Sequence, residues 1–121
     1  MAKPFRFSVS LGALETGGLI ASAKTAEELG YDVVTLPDHF TDQAAPLVGL
    51  TAAAMATTTL RVLPMVLAND YRHPVVLAKE IASLDALSGG RLDFGIGAGW
   101  MLTDYEQAGM NSTPPAPVFA A

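Results

Sequence analysis

The regular alternation of strand-like and helix-like segments is the feature that most limits what this chain can fold into. Runs of β-branched or alternating apolar residues begin near residues 5, 33, 60 and 92, at intervals of about 30 residues. Between them, apolar residues recur every three or four positions, which is the helical period. Strict alternation of strand and helix is typical of parallel βα units. The sequence therefore predicts an α/β fold of about four such units.

Periodicity and turn residues set the expected boundaries. We predict strands over 5–11, 33–36, 60–67 and 92–96, and helices over 19–29, 45–57 and 74–87. Pro64 falls inside the third strand, where its missing N–H interrupts pairing, so we expect a bulge or bend there. We assign residues 1–110 to a single domain and residues 111–121, which are proline-rich and lack periodicity, to an irregular C-terminal tail.

Four βα units amount to half of a (β/α)₈ barrel, which takes ~250 residues. The chain has 121 residues. Four parallel strands standing alone leave two open edges, and parallel sheets normally have both faces covered. Three interpretations are possible: the chain forms an open sheet, it forms a barrel completed by a second chain, or it is a shortened form of a larger protein.

Composition removes several classes of function. Seven Lys and Arg against twelve Asp and Glu give a net charge of −5, and no basic run offers a surface to nucleic acid or anionic lipid. The absence of cysteine excludes disulfides, thiolate metal sites and thiol nucleophiles. The two histidines lie far apart in the sequence, so we expect no metal site. With no apolar run of membrane-spanning length and no signal peptide, we expect a soluble cytoplasmic protein.

In βα proteins the ligand lies at the carboxyl ends of the strands, so the residues after each strand are the site candidates. Asp38 and His39 follow the second strand, and His39 is a candidate hydrogen-bond or proton donor. Asn69, Asp70 and Arg72 follow the third strand, and a guanidinium there suits a phosphate or carboxylate. The alternatives are a turn for the first pair and, for the second group, a polar loop that caps the third helix.

Alternate glycines close the fourth strand, at Gly95, Gly97 and Gly99. The spacing fails the dinucleotide-binding fingerprint, because Trp100 stands where the last glycine would be needed. The segment also resembles the first motif of Rossmann-like methyltransferases, but too little chain follows it for that fold. The remaining alternative is a glycine-rich strand end chosen for packing.

The residues after these glycines are mainly apolar. They are candidates for an apolar pocket and equally for ordinary packing: Trp100, Met101, Tyr105 and Met110. Asp104 and Glu106 are expected to be solvated. No arrangement of serine, histidine and aspartate suggests a nucleophile.

Four segments together resemble the N-terminal half of the luciferase-like flavin monooxygenase superfamily, most closely its branch using coenzyme F420, a 5-deazaflavin. The segments are FRFSVSLG at 5–12, AEELGYD at 26–32 leading into PDHF at 37–40, LANDYRHPVVLAKE at 67–80, and LDALSGGRL at 84–92 continuing to GAGW and DYE. The order and spacing agree over nearly all of residues 5–110.

The resemblance implies half of a (β/α)₈ barrel of the bacterial-luciferase type, with the cofactor across the strand ends. It implies catalytic roles for His39 and Asp38 beside the ring. Met65 and Val66 match the place where the family often has a bulge with a non-prolyl cis peptide. The implied cofactor-binding residues are Met65, Val66, Asn69, Ala98, Gly99 and Trp100.

Trp100 is a departure, since some dehydrogenases of the family have an acidic residue there that acts in proton transfer. This argues against chemistry of the sugar-phosphate dehydrogenase type.

The function implied is an F420-dependent oxidoreductase that transfers hydride to or from a small organic substrate, with FMN as the alternative cofactor. The alternative function is a non-catalytic half-barrel remnant or assembly fragment. Whether the chain is itself an enzyme stays open, because the later strands of the family supply much of the cofactor phosphate site. Closing the barrel would call for a homodimer or larger homo-oligomer.

Overall fold

The fold is that of a computed structural model, which describes residues 3–12 and 17–111. The strands are β1 (Ser8–Ser10), β2 (Val33–Leu36), β3 (Arg61–Pro64), β4 (Leu67–Ala68) and β5 (Ile96–Gly97). The helices are α1 (Gly18–Glu28), α2 (Pro46–Ala56), α3 (Pro74–Leu87) and α4 (Leu102–Ala108), with a 3₁₀ turn at Asn69–Tyr71.

Within the described residues, all strand pairs are parallel and adjacent in chain order. β1 pairs with β2 and β2 with β3, while β4 pairs with β5. A parallel bridge between Val62 and Leu92 joins β3 to the segment that leads into β5. Counting β3 and β4 as one interrupted strand, residues 3–12 and 17–111 form four βα units. The predicted α/β half-barrel is therefore confirmed.

The interruption lies where the bend near Pro64 is predicted. The strand expected over 60–67 divides at a cis peptide bond between Met65 and Val66. The fourth predicted strand, expected over 92–96, pairs with the third in two stretches, one on each side of this interruption. Asp93 N donates to Val62 O before the interruption and Leu67 N donates to Gly95 O after it, both at 2.9 Å. In the fourth strand, regular pairing is therefore limited to Ile96–Gly97, which is shorter than predicted and ends one residue later.

The core lies between the sheet and the helices packed on its outer face. β2 has a neighbour on each side and is buried at all four positions. Its Leu36 packs in one cluster with Leu50 of α2 and Val62 of β3, and all three are fully buried. Burying a side chain of this size stabilises a fold by roughly 1.5–3 kcal/mol. This layer fixes the strand ends relative to one another.

The ends of the described chain depart from the sequence-based expectations. β1 has three residues, fewer than the predicted 5–11, and Phe5 is 90% exposed. α4 was not predicted. Of the tail predicted over 111–121, Asn111 has no regular structure and residues 112–121 lie outside the described part. No helix within 3–12 and 17–111 is long and apolar enough to cross a membrane.

Candidate functional site

Three loops meet at the carboxyl ends of the strands and enclose a small cavity. They are the loops after β2, around the β3–β4 interruption, and after β5. The cavity has a volume of about 150 Å³ and is lined by Pro37, Asp38, His39, Met65, Val66, Ala68, Tyr71, Gly99 and Trp100. Six of the eight predicted site residues line it. The other two, Asn69 and Ala98, do not.

Asp38 holds two of these loops together and is itself buried. Its carboxylate accepts hydrogen bonds from both terminal nitrogens of Arg72 and, at 2.9 Å, from the backbone N–H of Ala68. The hydrogen bond to Asp38 is the main reason that the pKa of Arg72 rises above its ordinary value. The guanidinium proposed for a ligand phosphate or carboxylate thus binds a carboxylate of the chain itself, and Asp38 sits at the cavity in a structural ion pair.

His39 is held by an acidic residue from the last helix. Its Nδ1 lies 2.7 Å from Oδ2 of Asp104 in α4, while the backbone N–H of Phe40 donates to Oδ1 at 3.1 Å. The Tyr71 hydroxyl donates to Oδ2 at 3.2 Å. Asp104 is 1% exposed, so the expectation that it is solvated is wrong. Glu106, expected to be solvated as well, is exposed.

The charge state of Asp104 follows from these contacts. Burial by itself raises the pKa of the carboxyl, but the hydrogen bonds from His39, Phe40 and Tyr71 outweigh it and leave the pKa below its ordinary value. Burial, followed by the nearby Asp104 charge, raises the pKa of Tyr71 to about 12. At neutral pH the cavity therefore has an ionised carboxylate behind His39 and a neutral phenol beside it.

The open side of the cavity is apolar and aromatic. Met65 and Val66, on either side of the cis peptide bond, are about half exposed, and Trp100 is 78% exposed. The Trp100 and His39 rings meet edge to face, with centroids 6.0 Å apart. A concave, mainly apolar surface with a few converging polar groups is typical of small-molecule sites.

Tyr105 packs behind the cavity and does not open into it. It is 3% exposed, and its hydroxyl donates to Asp70 at 3.0 Å and lies 3.3 Å from the carbonyl oxygen of Ala98. Gly99 has φ +81°, and a Cβ there would lie 2.3 Å from the Tyr105 hydroxyl oxygen. Close approach of these two residues requires glycine at this position.

The other loop residues have local roles. His73 caps α3, since its Nδ1 accepts from the N–H of Val75 at 3.3 Å, which confirms the capping alternative for this loop. Asn69 lines a separate groove of about 580 Å³ along α3 and β5, whose walls are mainly aliphatic. That groove lacks the hydrogen-bonded polar groups that converge on the strand ends, so we assign the site to the smaller cavity.

Sequence reasoning missed Asp104 and Tyr71. An acidic residue in the first turn of a short helix is favourable for the helix itself, so Asp104 shows no separate signal. Tyr71 belongs to a polar loop with no periodicity. Their convergence on His39 depends on contacts between residues 65 and 33 positions apart.

Comparison with known proteins places this geometry in a family. The family model described as luciferase-like monooxygenase matches residues 2–119. The chain belongs to the luciferase-like monooxygenase family. Within the described residues no group of three or more potential metal-ligating side chains is found.

Reductases are among the similar members of the luciferase-like family. The 5,10-methylenetetrahydromethanopterin reductase of Methanopyrus kandleri is 37% identical over 76 residues, which are 63% of this chain and 22% of that protein. The structure of the coenzyme F420 dependent tetrahydromethanopterin reductase from Methanopyrus kandleri aligns with 88% of this chain and 30% of its own, at 30% identity and TM-score 0.76.

Monooxygenases share the fold. The oxygenating constituent of 3,6-diketocamphane monooxygenase from Pseudomonas putida, in complex with FMN, aligns with 88% of this chain and 33% of its own, at 24% identity and TM-score 0.76. The half-barrel is therefore of the luciferase-like barrel type, as predicted. The chain spans about a third or less of the length of these relatives.

Proposed function

We propose that the chain forms the ring-binding half of an F420-dependent oxidoreductase site, which transfers hydride to or from a small organic substrate. The observation that carries the proposal is the convergence of His39, Val66 and Trp100 on one cavity at the strand ends. It is supported by the likeness to the F420-dependent reductase. When bound, the deazaflavin supplies the hydride chemistry, and the protein supplies binding and orientation.

The residues present suit one part of such a cofactor. Met65, Val66 and Trp100 offer apolar and aromatic surface to a planar ring, and His39 offers one polar ring edge. A complete ligand site encloses roughly 300–1,000 Å³, and this cavity has about 150 Å³. The cavity thus accommodates a portion of the ring system, and the remaining walls must come from elsewhere.

We propose a second copy of the chain as the source of those walls. β1 and β5 each have a strand neighbour on one side only within the described residues, so both edges of the half-barrel are open to pairing. The homodimer would cover these edges. The alternative is a non-catalytic half-barrel that binds no cofactor, and it predicts a folded chain or oligomer without affinity for either ring.

FMN is the alternative cofactor. A protein of the same fold holds FMN, and the fold alone does not distinguish a flavin from a deazaflavin. Both rings are planar and would use the same apolar surface, so the two must be compared directly.

The test is a fluorescence titration of the purified chain with coenzyme F420 and, in parallel, FMN, on samples whose mass is measured by light scattering. Saturable F420 binding by a dimer is expected. No binding of either cofactor at tens of micromolar would favour the non-catalytic half-barrel, and preferential FMN binding would move the chain to the flavin branch.

Two variants locate the binding surface. Trp100→Ala removes an exposed ring from the cavity and should weaken binding about tenfold, equivalent to 1.4 kcal/mol. Phe5→Ala removes another exposed ring, which precedes β1 and lies away from the carboxyl ends of the strands, and should leave binding unchanged. Equal effects of the two variants would place the ring elsewhere.

A further inference from the structure

The buried carboxylate of Asp104 makes contact with two other loops at once. Its Oδ2 lies 2.7 Å from Nδ1 of His39 and accepts a hydrogen bond from the Tyr71 hydroxyl at 3.2 Å. Its Oδ1 accepts a hydrogen bond from the backbone N–H of Phe40 at 3.1 Å. An ionised carboxylate only accepts hydrogen bonds. Each of the three groups must therefore be a hydrogen-bond donor, so Nδ1 of His39 must carry a proton.

This requirement fixes the tautomer of His39. If Nδ1 carries the proton, neutral His39 has an unprotonated Nε2. Because Nδ1 faces a side chain that is 1% exposed while His39 lines the cavity, Nε2 is the ring nitrogen left for a ligand. Neutral His39 then accepts a hydrogen bond at Nε2, and it donates there only when the ring is protonated.

The second histidine of the chain has the opposite arrangement. His73 Nδ1 accepts from the backbone N–H of Val75 at 3.3 Å, so this nitrogen is unprotonated and neutral His73 carries its proton on Nε2. The chain has two histidines in all. The structure thus contains its own reference for each tautomer.

We propose that Asp104 is a positioning residue for His39: it fixes the Nδ1–H tautomer and the ring plane so that Nε2 is presented to the cofactor or substrate. The functional part of this inference rests on the proposed function, whereas the tautomer does not. Asp104 acts through His39 and touches no ligand itself. The donor role predicted for His39 is thereby restricted to its protonated form.

The tautomer is read directly by NMR of the ¹⁵N-labelled chain without cofactor. Long-range correlations from the ring protons identify which nitrogen is protonated, and His73→Asn assigns the two rings. At a pH where both rings are neutral, we expect Nδ1–H for His39 and Nε2–H for His73. An Nε2–H tautomer for His39 in the unmodified chain would overturn the proposal outright.

Two variants separate positioning from general packing. Asp104→Ala removes the acceptor and should shift His39 to a population containing the Nε2–H form. Tyr71→Phe removes the other hydrogen bond to Oδ2 while leaving the histidine contact, and should leave the tautomer unchanged. A His39 tautomer that is insensitive to Asp104→Ala in a folded protein contradicts the proposal. If that variant does not fold, the spectra of the unmodified chain and of Tyr71→Phe decide.

A binding cycle tests the functional part with F420 as the probe. Asp104→Ala should weaken binding up to about tenfold in the presence of His39 and have no further effect in a His39→Ala background. An equal effect in both backgrounds would assign Asp104 to packing and overturn the positioning role. If the unmodified chain binds neither F420 nor FMN, the proposed function is wrong. The NMR experiment still decides the tautomer of His39 in that case.

Discussion

Asp38 at the end of β2 and Arg72 after the 3₁₀ turn form a two-pronged ion pair that joins the loops on either side of the cavity. The Asp38 side chain is 4% exposed and the Arg72 side chain 21%. Charges this poorly solvated are stable only while paired. The pair therefore sets the distance between the β2 and β4 loops, from which His39 and Tyr71 extend.

Removing one partner of this pair should destabilise the fold strongly. For Asp38→Asn we expect a loss of about 3 kcal/mol in the free energy of unfolding, because Arg72 is left without its carboxylate. Chemical denaturation measures the loss. Asp42→Asn, a change of the same kind at an exposed position, should cost less than about 0.5 kcal/mol. If the two variants are equally stable, the ion pair does not hold the loops.

Glu27 in α1 should give the protein an acid-sensitive contact. Its carboxylate accepts from the backbone N–H groups of Thr58, Thr59 and Leu60 at 2.9, 2.6 and 2.9 Å. Chiefly the bond from Thr59 lowers the pKa of Glu27 from 4.5 to about 2. Because the folded-state pKa is depressed, this stabilisation is complete above about pH 4.5 and is lost as the pH falls towards 2.

Glu27→Gln should therefore cost about 1–3 kcal/mol at neutral pH and progressively less in acid. The measurement is the free energy of unfolding as a function of pH. Glu28→Gln in the next position, which is exposed, serves as the matched control and should show no such trend. If the loss of unfolding free energy in Glu27→Gln does not change with pH, the loss comes from packing and not from the charge of Glu27.

Gly99 should not tolerate a side chain. Its φ of +81° and the 2.3 Å approach of a Cβ to the Tyr105 hydroxyl act together. Gly109 has φ +64° but open space around a Cβ, so Gly109→Ala carries the backbone strain alone, about 1–2 kcal/mol. Gly99→Ala should cost clearly more in thermal or chemical unfolding. It should also displace the Tyr105 ring, visible as shifted NMR signals, and equal costs would show that Tyr105 moves aside freely.

The Tyr71 phenol should lose its proton at a higher pH than an ordinary tyrosine. Its pKa of about 12, against 10.0 for a free phenol, reflects burial first and the Asp104 charge second. With the folded-state pKa raised, stability is complete below about pH 10 and falls as the pH rises to about 12. Ultraviolet absorbance follows phenol ionisation, and Tyr71→Phe identifies the late step. Asp104→Asn should lower the pKa of Tyr71, and an unchanged titration would remove Asp104 as a cause.

Much of the fold was predictable because it depends on local patterns. Apolar spacing and flanking turn residues placed α1, α2 and α3 to within about one residue of their observed ends. Pro64 marked the interruption of the third strand, because a missing N–H cannot pair wherever the strand lies. The shorter β1 and the split fourth strand were less predictable, since pairing depends on the neighbouring strand.

The sequence by itself determined the parallel βα order, the family and the strand ends at which His39, Val66 and Trp100 would lie. The βα order and the positions of His39 and Trp100 after strand ends follow from periodicity and from the rule that parallel strands end at one edge. The family and the place of Val66 follow from the resemblance of four sequence segments to a known family. Only the tertiary structure decided the partners: that Asp38 binds Arg72 and that a buried Asp104 holds His39. Asp104 belongs to α4, and its contacts with the loop after β2 join residues about 65 positions apart in the chain. Its burial, and so its charge and contacts, comes from distant residues and leaves no local pattern.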